Sequence, residues 1–117
     1  MLAGAVAVVA PPRAAVAQSF ETTVTDAREA LRKHDRIRLA ALKTQATVER
    51  NPLAMWVDYW ELTNRIVDVQ PAEFAAFAQR WSGTYVDDRM RNDWLLELVR
   101  RRDRENFAAE YPRFRMA

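Results

Sequence analysis

Apolar residues recur every three or four positions from Thr25 to Tyr111. That is the spacing of a helix face, and no strand-like alternation lasts more than a few residues. Val86, Met90, Trp94, Leu95, Leu98 and Val99 form the broadest stripe. It predicts a helix with Thr84 as N-cap, Asp87 and Asp88 in its first turn, and Arg100, Arg101 and Arg102 in its last. Both charge placements suit the helix macrodipole. Asp103 can cap a shorter helix, Arg104 to Tyr111, which Pro112 stops. Neither helix hides its apolar face alone, so each needs a neighbour to stack on.

The same pattern places the earlier elements. A first helix lies within Phe20 to Lys33, with Thr25 as its cap and Ala27, Ala30 and Leu31 as a modest stripe. His34 and Asp35 break it, and Asp35 caps a second helix to about Ala46, with Ile37, Leu39, Ala40, Ala41 and Leu42 around much of its circumference. Asn51 and Pro52 open a third helix as cap and first residue. That helix carries two stripes: Leu53, Trp56, Val57 and Trp60, and Met55, Tyr59, Leu62 and Ile66. Two stripes mean cover on both sides, as an inner helix of a stack requires. Trp56, Tyr59 and Trp60 could stack on sugar rings, but aromatics at helical spacing read first as core. The stretch from Asp68 to Pro71 opens a fourth helix with Phe74, Phe77, Ala78 and Trp81 on one face, and Ser82-Gly83 ends it. Short links predict antiparallel neighbours, so the fold class is all-α, an irregular α-solenoid of about five to six short helices.

Met1 to Ala17 differs in composition from the rest of the chain. Leu2 to Ala10 is a small-apolar run, too short for a membrane span of roughly 20 residues. Ala15-Val16-Ala17 before Gln18 fits a small-x-small cleavage pattern. Residues 1–17 therefore read as a signal peptide lacking its basic leader, and 18–117 as the mature helical portion, exported from the cytoplasm and without a membrane span.

Composition narrows the chemistry. The sequence has 117 residues and no cysteine, which rules out a disulfide and a thiolate metal site. His34 is the one histidine, so no histidine metal cluster can form, and its place beside Asp35 suits an exposed helix end. Arg89, Arg91, Arg100, Arg101, Arg102 and Arg104 are interleaved with Asp87, Asp88, Asp93, Glu97, Asp103 and Glu105. That pattern, with a net charge of +2, predicts salt-bridged solvated faces and no nucleic-acid partner. Glu29, Glu61, Glu73, Glu97, Glu105 and Glu110 fall on predicted helix surfaces or ends. Asp58 with Glu61, and Asp87 with Asp88, read as a solvated face and as N-terminal dipole partners. No phosphate loop or nucleophile elbow occurs. No catalytic, cofactor-binding or metal-binding residue is assigned, and no cofactor is implied.

The segment NDWLLELVRRRDRENFAAEYPRF, with NPLAMWVDYWELTNRI upstream and the A-x-x-A-L-x-x-x-D pattern at Ala27 to Asp35, resembles the N-terminal helical domain of soluble lytic murein transglycosylases. The resemblance runs from about Thr25 to the C-terminus. Asn51, Met55 and Arg104 depart from it, standing where the family often has Tyr, Pro and Trp. It implies a superhelical, U-type scaffold within a periplasmic enzyme that cleaves the bond between N-acetylmuramic acid and N-acetylglucosamine, leaving 1,6-anhydro ends. The family's catalytic acid is a Glu in a Glu-Ser pair, supported by a Gly-Leu-Met-Gln-type run, and neither is present. The expectation is a non-catalytic segment whose partners are a separate C-terminal catalytic domain and, through the full-length protein, peptidoglycan glycan strands. The alternative is a free-standing helical-repeat adaptor that binds a protein in the cell envelope. Whether this chain itself belongs to an enzyme is left open by the missing acid.

Overall fold

The computed structural model describes residues 12–115, so the Leu2–Ala10 run lies outside it. Six α-helices follow in order: α1 (Arg13–Arg32), α2 (Arg36–Val48), α3 (Ala54–Asn64), α4 (Pro71–Arg80), α5 (Tyr85–Arg101) and α6 (Arg104–Glu110). Short 3-10 turns follow α3 (Ile66–Asp68) and α6 (Tyr111–Arg113), and the described residues contain no strand. The fold class is all-α.

Three of the links share one construction. α1, α2 and α5 each end in a non-glycine residue with positive φ: His34 (54°), Arg50 (52°) and Arg102 (58°). The next backbone N–H reaches back to a carbonyl five residues earlier: Asp35 to Ala30 at 2.8 Å, Asn51 to Ala46 at 2.9 Å and Asp103 to Leu98 at 2.9 Å. This left-handed cap satisfies carbonyls that the helix end would orphan. The residue making that bond is always Asp or Asn, and its side chain helps start the following segment. Asp35 accepts from Arg38 N–H, Asp103 from Asn106 N–H and Asn51 from Leu53 N–H. The expected caps at Asp35 and Asp103 are therefore present, whereas α3 starts at Ala54, later than Asn51-Pro52 predicted. The remaining sharp link, α4 to α5, turns through Gly83 at φ 78°. There the Thr84 hydroxyl turns back to donate to Trp81 O, and the Asp87 carboxylate accepts from Gly83 N–H.

Thr25 caps nothing. α1 starts at Arg13 and runs through it, because residues 13–24 contain neither Gly nor Pro to break it; the Thr22 and Thr23 hydroxyls turn inward along the helix and donate to carbonyls one turn back. The first buried residue of α1 is Thr23.

Side-chain pairs fix the directions. Arg38 meets Asp26, Gln45 meets Thr23, and Asn51 meets the carbonyl of Phe20. One number rises as the other falls, so α1 and α2 run antiparallel. Between α3 and α5 both numbers rise together: Tyr59 meets Arg89 and Thr63 meets Asp93, each 30 residues apart. Those helices run parallel. His34 and Asn64, just after α1 and at the end of α3, are also 30 apart and lie 3.3 Å from each other.

Helix α3 has cover on two sides, as its two stripes predict. Val57 joins Ala27, Ala30, Leu39, Leu42 and Ala46 in one core, where alanines let α1 and α2 approach closely. Tyr59 and Leu62 join a second core with Val69, Phe74, Phe77, Val86, Met90, Trp94 and Leu98. Trp60 packs against both. Ile37, Leu53 and Val99 do not enter a core; they are 85%, 44% and 59% exposed. Each helix presents one arc to its neighbours, and apolar residues outside that arc stay in solvent.

Candidate functional site

The carboxylates expected on solvated faces are where the structure departs most from the sequence reading. Asp58, Glu61, Asp87 and Glu97 are buried, and so is Arg91. A buried charge is costly unless paired, and each of these is paired. Asp58 accepts from the Trp81 indole N–H at 2.8 Å and from Arg80 at 3.0 Å, and Lys43 Nζ lies 3.3 Å from its other oxygen. Glu61 takes Arg65 at 2.8 Å, and Arg65 reaches on to Glu73 at 3.1 Å. Glu73 also accepts from Gln70 N–H at the start of α4, which, ahead of Arg65, holds its carboxyl below the usual range. Arg91 sits between Asp87 at 2.9 Å and Glu110 at 2.8 Å, and so ties α6 to α5.

Glu97 is gripped by Arg100 at 2.6 Å and Arg101 at 2.9 Å. Hydrogen bonds from those guanidiniums, Arg100 first, pull its carboxyl down to about 2. A lysozyme-like proton donor needs the opposite shift. Arg101 also donates to the carbonyls of Ile66 at 2.9 Å and Val69 at 2.8 Å, and lies 4.9 Å from the centre of the Trp94 ring. These ionic groups clamp the links between helices; Asp87, Arg91 and Glu110 also line a hollow of about 720 Å³, and Lys43, Asp58 and Arg80 one of about 560 Å³, each already held by its partners. The salt-bridged faces expected from the interleaved charges hold for Arg91, Arg100 and Arg101, with Arg91 inside the fold; Arg89 bonds to Tyr59 and Tyr85 instead, and Arg102 and Arg104 meet no carboxylate among the described residues.

A different surface gathers aromatic side chains, three of them at least partly accessible, beside an arginine. α3 contributes Trp56, Tyr59 and Trp60, and α5, lying parallel, contributes Tyr85 and Arg89. The Trp56 ring lies 5.7 Å from Tyr85, 6.1 Å from Tyr59 at a near-perpendicular 83°, and 6.5 Å from Trp60. Tyr59 is buried, Trp56 and Trp60 are half-buried, and Tyr85 is exposed. The Tyr59 hydroxyl donates to Asp93 and accepts from Arg89 at 3.2 Å. Burial, and then the Asp93 carboxylate, push that phenol up to about 12. Arg89 donates also to the Tyr85 hydroxyl at 3.3 Å, fixing the outermost ring. Beside Trp60 the surface dips into a groove of about 870 Å³ against α1, lined by Arg28, Glu29, Leu31 and Arg32 among others.

No family model, no curated protein and no solved structure matches the chain.

The ledge combines ring faces with a fixed guanidinium, a set suited to stacking on flat or saccharide rings and to hydrogen bonding at their edges. The sequence reading named Trp56, Tyr59 and Trp60 and took them as core. That holds for Tyr59, while the two tryptophans keep part of their surface. It gave no sign of Tyr85 and set Arg89 on a salt-bridged face; both belong to another helix and meet α3 only through the parallel packing. His34 is exposed at its helix end, as expected. Among the described residues no three His, Asp or Glu side chains converge as metal ligands.

Proposed function

We propose that the chain is a non-catalytic helical scaffold segment of a periplasmic soluble lytic transglycosylase, and that its aromatic ledge holds peptidoglycan glycan strands. The ledge is the observation that carries this reading. A polymer of alternating sugars offers repeated ring faces, and Trp56, Trp60 and Tyr85 offer accessible aromatic ones along two parallel helices. The helix arrangement reads as an irregular α-solenoid, supported by the parallel pairing of α3 with α5, whose partners lie 29 to 34 residues apart, and by the meeting of His34 with Asn64. Export through a Sec-type signal fits the burial pattern of α1. None of the described residues before Gln18 is buried, and burial in α1 begins at Thr23. The catalytic acid belongs to a separate domain of the parent enzyme.

Intrinsic tryptophan fluorescence, titrated with soluble N-acetylglucosamine–N-acetylmuramic acid oligomers, tests this. A short ledge should bind with a dissociation constant of about 0.1–1 mM. Trp56→Ala with Tyr85→Ala, followed by calorimetry because a reporter is lost, should abolish binding while circular dichroism shows the helices intact; Trp56 packs on the second core, so some fall in melting temperature accompanies it. Equal binding by wild type and the double variant, or no binding by wild type, refutes the ledge. The pure chain should release no 1,6-anhydro products from sacculi. The adaptor reading is favoured by one separate observation, an apolar groove at the other end of α5.

A further inference from the structure

The groove lies where α5 ends and α6 begins. Leu98, Val99 and Phe107 line its apolar part, and Arg102, Asp103 and Arg104 its rim, around a volume of about 400 Å³. Leu98 belongs to the core, so the floor is continuous with the interior. Val99 is 59% exposed, and the neighbouring Tyr111, stacked on Phe107 at 5.5 Å, is 57% exposed. Large apolar side chains exposed together, and rimmed by charge, mark an interaction surface more often than isolated ones do.

The rim says what kind of partner fits. Asp103 is already spent, accepting from the backbone and side chain of Asn106. Arg102 and Arg104 have no carboxylate within salt-bridge distance among the described residues. The groove therefore presents apolar contacts flanked by two uncompensated guanidiniums. A second copy is a poor match. Another exposed apolar pair among the described residues, Ile37 and Val48 on α2, lies on a helix with no acidic residue. Its cations Arg36, Arg38 and Lys43 already hold Asp68, Asp26, Asp58 and Glu61, so that face brings no free carboxylate to the two groove guanidiniums. We propose that the groove docks an acidic amphipathic helix of a partner polypeptide, with apolar residues at three- and four-residue spacing and carboxylates on their flanks, in the helix-in-groove mode.

The two surfaces are distinct, so failure of glycan binding at the ledge leaves this proposal standing, and failure here leaves the ledge reading standing. The probe is a fluorescent 18-residue helical peptide with Leu at positions 4, 8, 11 and 15 and Glu beside them; the control replaces each Glu with Lys. Fluorescence anisotropy should show binding of the Glu peptide to the full chain, with affinity falling as salt rises, and none of the Lys peptide. Val99→Glu should abolish binding; Val99 is exposed, so the fold tolerates the change. Arg102→Gly combined with Arg104→Glu should weaken binding about tenfold, mainly through association rate. The double variant should also melt higher, since Gly relieves the positive φ at position 102 and Glu suits the first turn of α6, so lost binding cannot be blamed on unfolding. Binding that is indifferent to Val99→Glu and to both arginines overturns the proposal. So does sedimentation of the chain alone as a dimer that Val99→Glu dissociates, which would make a second copy the occupant.

Discussion

Replacing Trp94 with alanine tests the central packing of the second core. Trp94 is 2% exposed, stacks on Phe74 with centroids 5.4 Å apart and planes 14° from parallel, and lies under the Arg101 guanidinium. Removing a core Trp costs about 3–5 kcal/mol. The lost stack and cation–π contact add roughly another 1–2 kcal/mol. Arg101 loses one of its supports at the same time, and through it the clamp on Ile66 and Val69 loosens. A domain of this size has about 5–15 kcal/mol in total. With a urea slope of about 1–3 kcal/mol/M, the midpoint should fall by roughly 1.3 M or more, leaving a substantial unfolded fraction without denaturant. Urea titration followed by circular dichroism at 222 nm measures this. Trp94→Phe, which keeps a ring against Phe74, should lose clearly less. A Trp94→Ala midpoint within about 0.3 M of wild type would refute the reasoning, because a fully packed indole cannot be removed at so small a cost.

Glu97 supplies a prediction in pH. Its carboxyl is lowered to about 2 in the folded chain from 4.5, so its contribution is complete above about 4.5 and is lost as pH falls from there towards 2. Glu97→Gln should be less stable than wild type at pH 7 and should show a shallower further loss across that window in urea melts; an unchanged slope sinks the assignment. Tyr59 shifts the other way: with its phenol pushed up to about 12, its contribution falls as pH rises from 10 towards 12. Absorbance at 295 nm should show a late ionisation step near pH 12 that Tyr59→Phe removes. Arg50 holds φ at 52° at the end of α2, so Arg50→Gly should stabilise the fold by about 0.5–1 kcal/mol after allowing for the looser unfolded chain, a rise of roughly 3–5 °C in melting temperature. A lower melting temperature would mean that the Arg50 side chain contributes something its backbone strain does not reveal.

Helices were legible where the local signals were strong. Asp35 and Asp103 each accept a backbone N–H at the start of α2 and α6, and the Val86–Met90–Trp94–Leu98 stripe marks the buried face of α5. The start of α1 was not, because Thr25 resembles a cap in composition while nothing upstream forbids a helix. The buried acids were not legible either. Asp58 and Glu61 sit at the spacing of a surface pair; Arg65 four residues on holds Glu61, but the partners that make the burial of Asp58 tolerable, Lys43 from α2 and Arg80 and Trp81 from the end of α4, come from other helices. The ledge was half legible. Trp56 and Trp60 stand out in the sequence, but Tyr85 and Arg89 join them only through the parallel pairing of α3 with α5, which no sequence period announces.

The sharing of α3 between the two cores bears on how the molecule opens. Val57 anchors one core while Tyr59 and Leu62 anchor the other, so neither can come apart without disturbing the helix that seals its neighbour. The amides in the middle of α3 should therefore be the slowest to exchange with deuterated solvent, released only when the whole chain unfolds. α6, with no buried residue of its own and held to α5 through Arg91 and Glu110, should exchange far sooner. The short terminal helix would then open and close many times within the lifetime of a folded centre.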